Sequence, residues 1–272
     1  MSTWLINGTD STIAPGDRGL AYGDGLFETM AMIDGKVRFF SKHLERLLEG
    51  CRRLGIDPPD RSLIMDDLSR LYSTESRCVA KLIVTRGVGG RGYRPDPDAE
   101  STRIVGIHPW PDYPVTNYSD GINVRLCDTR LAENSLLAGI KHLNRLEQVM
   151  ARAEWTDDRV AEGLMLDVSG RVVSGTMTNL FSVRGDTLTT PNLQRCGVAG
   201  VMRSVVMDLA VRDGIKVVET DVSPEQLLGS DEVFVTNAVL GIWPVKEIGG
   251  RCFDSFETTR QFMQRLEEIS HE

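Results

Sequence analysis

The run Pro109-Trp110-Pro111-Asp112-Tyr113-Pro114 sets three prolines within six residues, and neither a helix nor a central strand passes through such a stretch. A chain interrupted in this way finishes one folded body before the run and starts another after it. The expected division is an N-terminal domain over 1–112, a linker over 113–118 and a C-terminal domain over 119–272. At 272 residues in all, each part is long enough for a hydrophobic core of its own.

Periodicity makes the first domain a mixture of strands and helices. Trp4 to Gly8 reads as a short strand and turn. Strands over 26–33 and 36–40 flank Asp34-Gly35, a dipeptide whose tolerance of positive φ suits a type I′ hairpin. Ser41 stands where an N-cap would, ahead of Leu44, Leu47, Leu48, Cys51 and Leu54 at helical spacing, with Gly55 as the stop. A second helix opens at Pro58-Pro59-Asp60 and carries Leu63, Ile64, Leu68 and Leu71. Strands over 78–85 and 103–108 follow, joined by a glycine-rich loop from Arg86 to Pro95.

Beyond the prolines come a strand over 122–127 and a helix through Leu146, Val149, Met150 and Ala153. A β-rich run over 163–188 leads to a helix from Val201 to Gly214. Strands over 215–219 and 233–236, a hairpin at Gly249-Gly250 and a helix with Phe262, Met263, Leu266 and Ile269 complete the chain. The expected class is α+β in two domains: a small N-terminal α/β domain and a larger, β-rich C-terminal one.

A net charge of −8 argues against nucleic acid or an anionic membrane as partner, though a local arginine cluster can still take a small anion. No apolar run approaches the roughly 20 residues of a membrane span. The start, Met1-Ser2-Thr3-Trp4, has no charged leader followed by an apolar stretch. The five cysteines, at 51, 78, 127, 196 and 252, show neither CxxC nor metal-ligand spacing and read as small hydrophobes. A soluble protein of the cytoplasm, without a metal, is the expectation.

Only six of the 31 basic residues are lysines, at 36, 42, 81, 141, 216 and 246. Lys141 sits in Ala138-Gly139-Ile140-Lys141-His142-Leu143-Asn144-Arg145, with apolar residues on both sides. Lysine is the side chain that forms an imine with a carbonyl, and desolvation frees its amine. Taken alone, the position reads as a lysine whose stem covers apolar surface at a helix start. No GxSxG, HExxH or Walker A pattern is present. His43 and His142 are the histidines in promising surroundings, whereas His108 ends a strand and His271 lies in the tail.

Several stretches suit an anion. Gly197-Val198-Ala199-Gly200-Val201-Met202-Arg203 is a glycine-punctuated turn running into a helix, whose first N–H groups and dipole favour phosphate. Thr236-Asn237-Ala238 follows an apolar strand. Arg46 shares a helix side with His43, and the loop with Arg91 and Arg94 holds four glycines. Each has a plain structural reading: a glycine-rich turn, a solvated arginine, a flexible tip. An imine-forming lysine together with phosphate-type sites points to pyridoxal 5′-phosphate.

The carrying stretches are Asp17 to Thr29 (DRGLAYGDGLFET), His43-Leu44-Glu45-Arg46-Leu47, Thr85 to Tyr93 (TRGVGGRGY) and Gly139 to Val149 (GIKHLNRLEQV). Through them the chain, from Trp4 to the C-terminal helix, resembles the fold-type IV pyridoxal-phosphate enzymes. That family holds the branched-chain and D-amino-acid aminotransferases, and within it the resemblance is strongest to the 4-amino-4-deoxychorismate lyases.

The resemblance implies a fold-type IV architecture and pyridoxal 5′-phosphate as cofactor. Lys141 would hold the cofactor aldehyde and shuttle protons, and Arg46 would bind its phosphate. Val201 and Met202 would supply N–H groups, Asn237 and Ala238 a second phosphate loop, and Val198 an apolar contact to the ring. Arg91 and Tyr93 would help bind a substrate carboxylate. It further implies a homodimer acting on a small anionic substrate, elimination of pyruvate from 4-amino-4-deoxychorismate to give 4-aminobenzoate in folate biosynthesis, and a transient contact with the aminodeoxychorismate synthase. The alternatives are D-amino-acid or branched-chain transamination, and a non-catalytic cofactor-binding protein.

One departure stands out. The family's glutamate for the pyridine nitrogen falls five residues before the asparagine of an Asn-Leu-Phe-type segment. Here that segment is Asn179-Leu180-Phe181, and Ser174 occupies the place.

Overall fold

A computed structural model describes residues 3–71 and 75–269; the tail histidine, His271, lies outside them, as do Met1 and Ser2. Two compact units divide the chain: Met1–Pro111 with Ile140–Asn144, and Asp112–Gly139 with Arg145–Glu272.

The first unit contains β1 (Thr3–Ile6), α1 (Arg18–Tyr22), β2 (Gly25–Ile33), β3 (Lys36–Val37), α2 (Phe40–Leu54), α3 (Arg61–Arg70), β4 (Arg77–Thr85) and β5 (Thr102–Pro109). Its five strands form one sheet in the order β1-β5-β4-β2-β3, antiparallel throughout. Asp34 and Gly35 both take positive φ, 48° and 77°, so the hairpin turn is the one their chemistry favours. β3 is shorter than its sequence suggests. Phe39 adopts φ 53° and swings the chain into α2, which leaves Ser41 inside the helix rather than at its cap.

The buried side of α2 is His43, Leu47, Gly50 and Cys51, while Leu48 points outward. The expected apolar stripe is rotated because His43 finds a buried carboxylate on β2. The glycine at 50 lets α2 lie directly on Leu26, whose side chain occupies the space a Cβ would need. Asp60 caps α3 by accepting the Ser62 N–H at 2.8 Å. Further along the same helix, buried Asp67 accepts from Arg103 Nε at 2.6 Å and ties α3 to β5.

The second unit contains α4 (Thr116–Ser119), β6 (Ile122–Leu131), α5 (Leu146–Arg152), β7 (Val160–Asp167), β8 (Val172–Gly175), β9 (Asn179–Arg184), β10 (Thr187–Pro191), α6 (Val201–Arg212), β11 (Lys216–Thr220), α7 (Pro224–Leu228), β12 (Glu232–Asn237), β13 (Gly241–Ile248), β14 (Arg251–Cys252) and α8 (Glu257–Glu268). Its strands run β11-β10-β9-β12-β13-β6-β7-β8, with β14 on β13. The pairs β10/β11, β13/β6 and β6/β7 are parallel and the others antiparallel. Phe181 stacks on Phe234 at 5.0 Å, and Phe262 of α8 joins them at 5.9 Å. Such ring pairs add about 0.5–1.5 kcal/mol each beyond their buried area.

Two features depart from the expected division. Residues 113–118 are packed rather than extended as a linker: Tyr113 and Tyr118 both set their rings edge-on to buried Trp243. The segment 140–144, with Lys141, groups with the first unit, because its backbone bonds to β2.

All five cysteines are free, and four are buried. Burial pushes the thiols of Cys51 and Cys196 up to about 11 and that of Cys127 to about 12, which makes them inert fillers. Among the described residues no helix is long and apolar enough to cross a membrane, and no group of His, Cys, Asp and Glu is arranged to hold a metal ion.

Candidate active site

β3 pairs with β2 only at Met32 and Ile33, so the first residues of β2 have an unpaired edge. Residues 141–143 take it. The Phe27 N–H donates to the Lys141 carbonyl at 3.0 Å, the Leu143 N–H donates to the Gly25 carbonyl at 2.9 Å, and Leu26 faces His142 in an antiparallel bridge. Asn144 adds a side-chain bond from Nδ2 to the Gly23 carbonyl at 3.0 Å. Facing residues share a sheet face and neighbours alternate, so Lys141 emerges on the Phe27 side. Its Nζ stands 4.2 Å from the centroid of the Phe27 ring.

Glu28, the next residue, points to the opposite face. It is fully buried, and its carboxylate accepts from His43 Nδ1 at 2.6 Å and from Arg46 Nε and Nη2 at 2.8 and 2.5 Å. Burial opposes the charged form, yet the Arg46 charge and the hydrogen bonds from His43 and Arg46 hold the carboxyl at about 2, against an ordinary 4.5. Lys141 and Arg46 are thus attached to consecutive residues of one strand from opposite faces. Among the described residues His43 Nε2 is buried and has no hydrogen-bond partner.

The loop with Arg91 and Tyr93 is latched by α1. Arg18 donates from Nη1 to the Gly92 carbonyl at 2.9 Å and from Nη2 to the Tyr93 carbonyl at 3.0 Å. Tyr22 Oη accepts the Gly92 N–H at 3.2 Å, and its ring meets Tyr93 edge-on at 5.5 Å. Asp24 in turn holds Arg18 and Arg86, at 2.9 and 2.8 Å. Burial pushes its carboxyl up, but the two guanidinium groups pull it below the usual value. Arg91 and Tyr93 themselves project outward from this unit.

In the second unit, the turn before α6 is stitched to Gly139. The Gly139 N–H donates to the Gly197 carbonyl at 3.0 Å and the Ala199 N–H to the Gly139 carbonyl at 2.9 Å. Lys141 follows Gly139 two residues later in sequence. Asn179 fixes the same turn, donating from Nδ2 to the Val198 carbonyl at 2.8 Å. A Cβ on Gly200 would fall 1.9 Å from Asn179 Oδ1, so only glycine leaves that amide in place. Gly200 caps α6 without a side-chain bond, and the first N–H groups of Val201 and Met202 remain the positive end of the helix. At the end of β12, Asn237 Oδ1 accepts the N–H groups of Val239 and Leu240, both at 2.9 Å, which shapes the turn holding Ala238.

Ser174 is buried on β8 and its hydroxyl donates to the Gly175 carbonyl at 3.0 Å. Beside it lies the fully buried Glu162. Its Oε1 accepts from the Gly163 and Thr176 N–H groups and Thr176 Oγ1, and its Oε2 accepts from the Met177 N–H and Thr178 Oγ1, at 2.5–3.2 Å. This carboxylate builds the turn between β8 and β9.

The sequence-derived residues therefore fall into two sets: Lys141, Arg46, Arg91 and Tyr93 on the first unit, and Ser174, Val198, Val201, Met202, Asn237 and Ala238 on the second. Phe27, Glu28, Asn179 and Glu162, which position them, carried no assigned role in the sequence. Phe27 and Glu28 lie inside the Gly25-Leu26-Phe27-Glu28-Thr29 motif, and their alternation on a strand was the available signal.

Comparison with known proteins places this geometry. The model of the family described as amino-transferase class IV matches residues 25–248. Aminodeoxychorismate lyase of Vibrio harveyi is 36% identical over 245 residues, 89% of this chain and 90% of that protein. A putative branched-chain-amino-acid aminotransferase of Methanocaldococcus jannaschii is 34% identical over 272 residues, 97% of this chain and 93% of that one. The crystal structure of 4-amino-4-deoxychorismate lyase from Pseudomonas aeruginosa covers 98% of each chain at 47% identity, with a TM-score of 0.94.

Two predictions follow from the anchors. A carboxyl with a depressed pKa stabilises the fold above its ordinary pKa and loses that contribution as pH falls through the folded value. Glu28→Gln should therefore cost about 3 kcal/mol at pH 7. In urea melts, that gap should close between pH 4.5 and about 2. Gly200→Ala should cost roughly 1–3 kcal/mol by displacing Asn179. In an Asn179→Ala background the cost should shrink, giving a coupling of about 1 kcal/mol or more in a double-mutant cycle.

Proposed function

The chain belongs to the class IV aminotransferase family, and we propose that within it this protein is an aminodeoxychorismate lyase, releasing pyruvate from 4-amino-4-deoxychorismate and leaving 4-aminobenzoate. The observation that carries this reading is 47% identity, over 98% of both chains, to the Pseudomonas aeruginosa lyase.

The residues present fit pyridoxal 5′-phosphate. They include an amine laid on an aromatic ring and a helix start kept open by a glycine at which a Cβ would collide. When bound, this cofactor condenses with amines and acidifies the proton on the carbon that bears the nitrogen. Lys141 would hold it through Nζ, and the same amine would be the base for that proton. The N–H groups of Val201 and Met202 bind its phosphate, with Asn237 and Ala238 contributing from the turn after β12. Arg46, held rigid by Glu28, adds positive charge for the same phosphate. Val198 presses an apolar side chain on the ring, Ser174 serves the ring nitrogen, and Arg91 and Tyr93 receive a substrate carboxylate.

Ser174 bears on the choice of reaction. A carboxylate at that place keeps the pyridine nitrogen protonated and makes the ring a strong electron sink, which transamination needs. A hydroxyl makes a weaker one, sufficient where aromatisation of the product drives the step.

The protein acts as a homodimer, a reading supported by Leu146, Val149 and Met150. These residues make one exposed stripe of α5 at i, i+3 and i+4. Its five free thiols suit the reducing cytoplasm. Branched-chain transamination is the second reading, favoured by the 34% identical archaeal relative.

A coupled assay decides between them. Purified protein with cofactor should release pyruvate from aminodeoxychorismate without converting the cofactor to its amine form. Conversion by a branched-chain amino acid with no pyruvate release would establish the second reading. Borohydride should fix the cofactor on Lys141, and Lys141→Ala should lose about 10³-fold or more of the rate. Ser174→Glu should raise the ratio of transaminase to lyase turnover, and an unchanged or lower ratio removes Ser174 from the argument.

A further inference from the structure

Lys81 lies in the middle of β4, in register with Thr29 of β2 on one side and Gly106 of β5 on the other. Side chains that face each other across an antiparallel pair share a sheet face. Phe27, Thr29, Lys81 and Ile83 therefore line one face of the first unit's sheet, all of them half-buried. Leu26, Glu28, Leu82 and Val84 line the other and are buried. The first of these faces is the one on which Lys141 emerges.

The Lys81 ammonium stands 5.6 Å from the centroid of the Phe27 ring, the ring that also carries Lys141 Nζ at 4.2 Å. The two nitrogens thus lie no farther apart than those distances laid end to end. On its other side Lys81 faces Gly106 of β5. The Trp4 indole covers Gly106, with its Cε3 atom 2.4 Å from where a Cβ would be. Among the described residues Lys81 makes no hydrogen bond and no ion pair.

A cation withdrawn from water without an anion is unfavourable, and a ring contact worth about 0.5–2 kcal/mol offsets only part of that. In a chain that places arginine at 25 of its 31 basic positions, an unpaired lysine here is a group waiting for an anion.

The chemistry of the substrate, as read under the proposed function, names that anion. Its amine and its ring carboxylate are para to each other, one six-membered ring apart. The amine must reach the position of Lys141 Nζ, and Lys81 and Lys141 sit on segments that flank β2 on opposite sides, each within 5.6 Å of the Phe27 ring centroid. We propose that Lys81 binds the ring carboxylate of the substrate and so sets the specificity of this site for a cyclic amino acid bearing a para carboxylate. The inference rests on the lyase reading, and the following experiment separates the two.

Lys81→Met keeps the stem and removes the charge, whereas Lys81→Arg keeps the charge. With the loaded enzyme, the KM for aminodeoxychorismate should rise about 10- to 100-fold in Lys81→Met, the loss of one charge-assisted hydrogen bond. The kcat should change by no more than about 3-fold, and Lys81→Arg should recover most of the KM. The analogue with a hydroxyl in place of the amine cannot condense with the cofactor. Its dissociation constant, measured by calorimetry with and without cofactor, should rise in parallel.

The visible band of the lysine-bound cofactor, and the pH at which it changes, should stay as in the wild type. The proposal is overturned if KM and analogue affinity hold in Lys81→Met, whether or not that pH midpoint moves; a moved midpoint would make Lys81 a tuner of the Lys141 amine. A wild type that releases no pyruvate would sink the lyase reading instead, and the calorimetric comparison would still decide whether Lys81 holds the carboxylate.

Discussion

Two backbone hydrogen bonds, from Phe27 to the Lys141 carbonyl and from Leu143 to the Gly25 carbonyl, place Lys141, on which the proposed reading depends. They convert a free sheet edge into the seat of the Lys141 amine. Strand pairing has a period of two, so a slip of one residue would turn Lys141 to the opposite face and bring His142 to the Phe27 side. The face on which the amine emerges is therefore set by register, a property of the backbone. The short β3 is part of the arrangement: a longer partner strand would have covered the edge that residues 141–143 occupy.

The same strand anchors Arg46. Phe27 and Glu28 face opposite ways, so one serves Lys141 and the other Arg46. A fully buried carboxylate tolerates its burial because His43 and Arg46 occupy it from two directions, and removing either partner would strand a charge in the core. That coupling also explains why α2 is rotated from its apparent apolar stripe. Satisfying Glu28 with His43 outweighs burying Leu48, which is left outside. In the second unit Asn179 does for the start of α6 what Glu28 does for Arg46, with an amide in place of a charge.

Local signals in the sequence carried the parts of this arrangement that are themselves local. Asp34-Gly35 reports its own turn, the glycines before Val201 report a helix start, and the scarcity of lysine singles out Lys141. What the sequence could not display were bonds between distant residues. Nothing in the periodicity of 140–144 says that it joins β2, more than a hundred residues earlier, and chain position alone assigns it to the second domain. Five-residue α1 has too few turns to show a stripe, although Asp17 caps it by accepting the Gly19 N–H. Ser41 misled as a cap because Phe39 takes a left-handed conformation that favours glycine or asparagine, and a sequence gives no warning of it.

Ser174 stands where the resemblance implies a glutamate, and the surrounding bonds bear on whether another acid takes that part. The acid nearest to hand on β7 is Glu162, but both of its oxygens are occupied, by four donors from the turn it organises and by the Gly163 N–H. Asp167, at the end of that strand, accepts the N–H groups of Ser169 and Arg171 and the Arg171 Nε. Neither carboxylate can turn to a ring nitrogen without breaking the turn it holds, and a buried donor left without its acceptor costs roughly 1–3 kcal/mol. The hydroxyl of Ser174 therefore stands without a substitute from β7. Under the proposed reading, a hydroxyl at the ring nitrogen makes a weak electron sink, which suits a reaction whose driving force lies in its product, as the formation of an aromatic ring does.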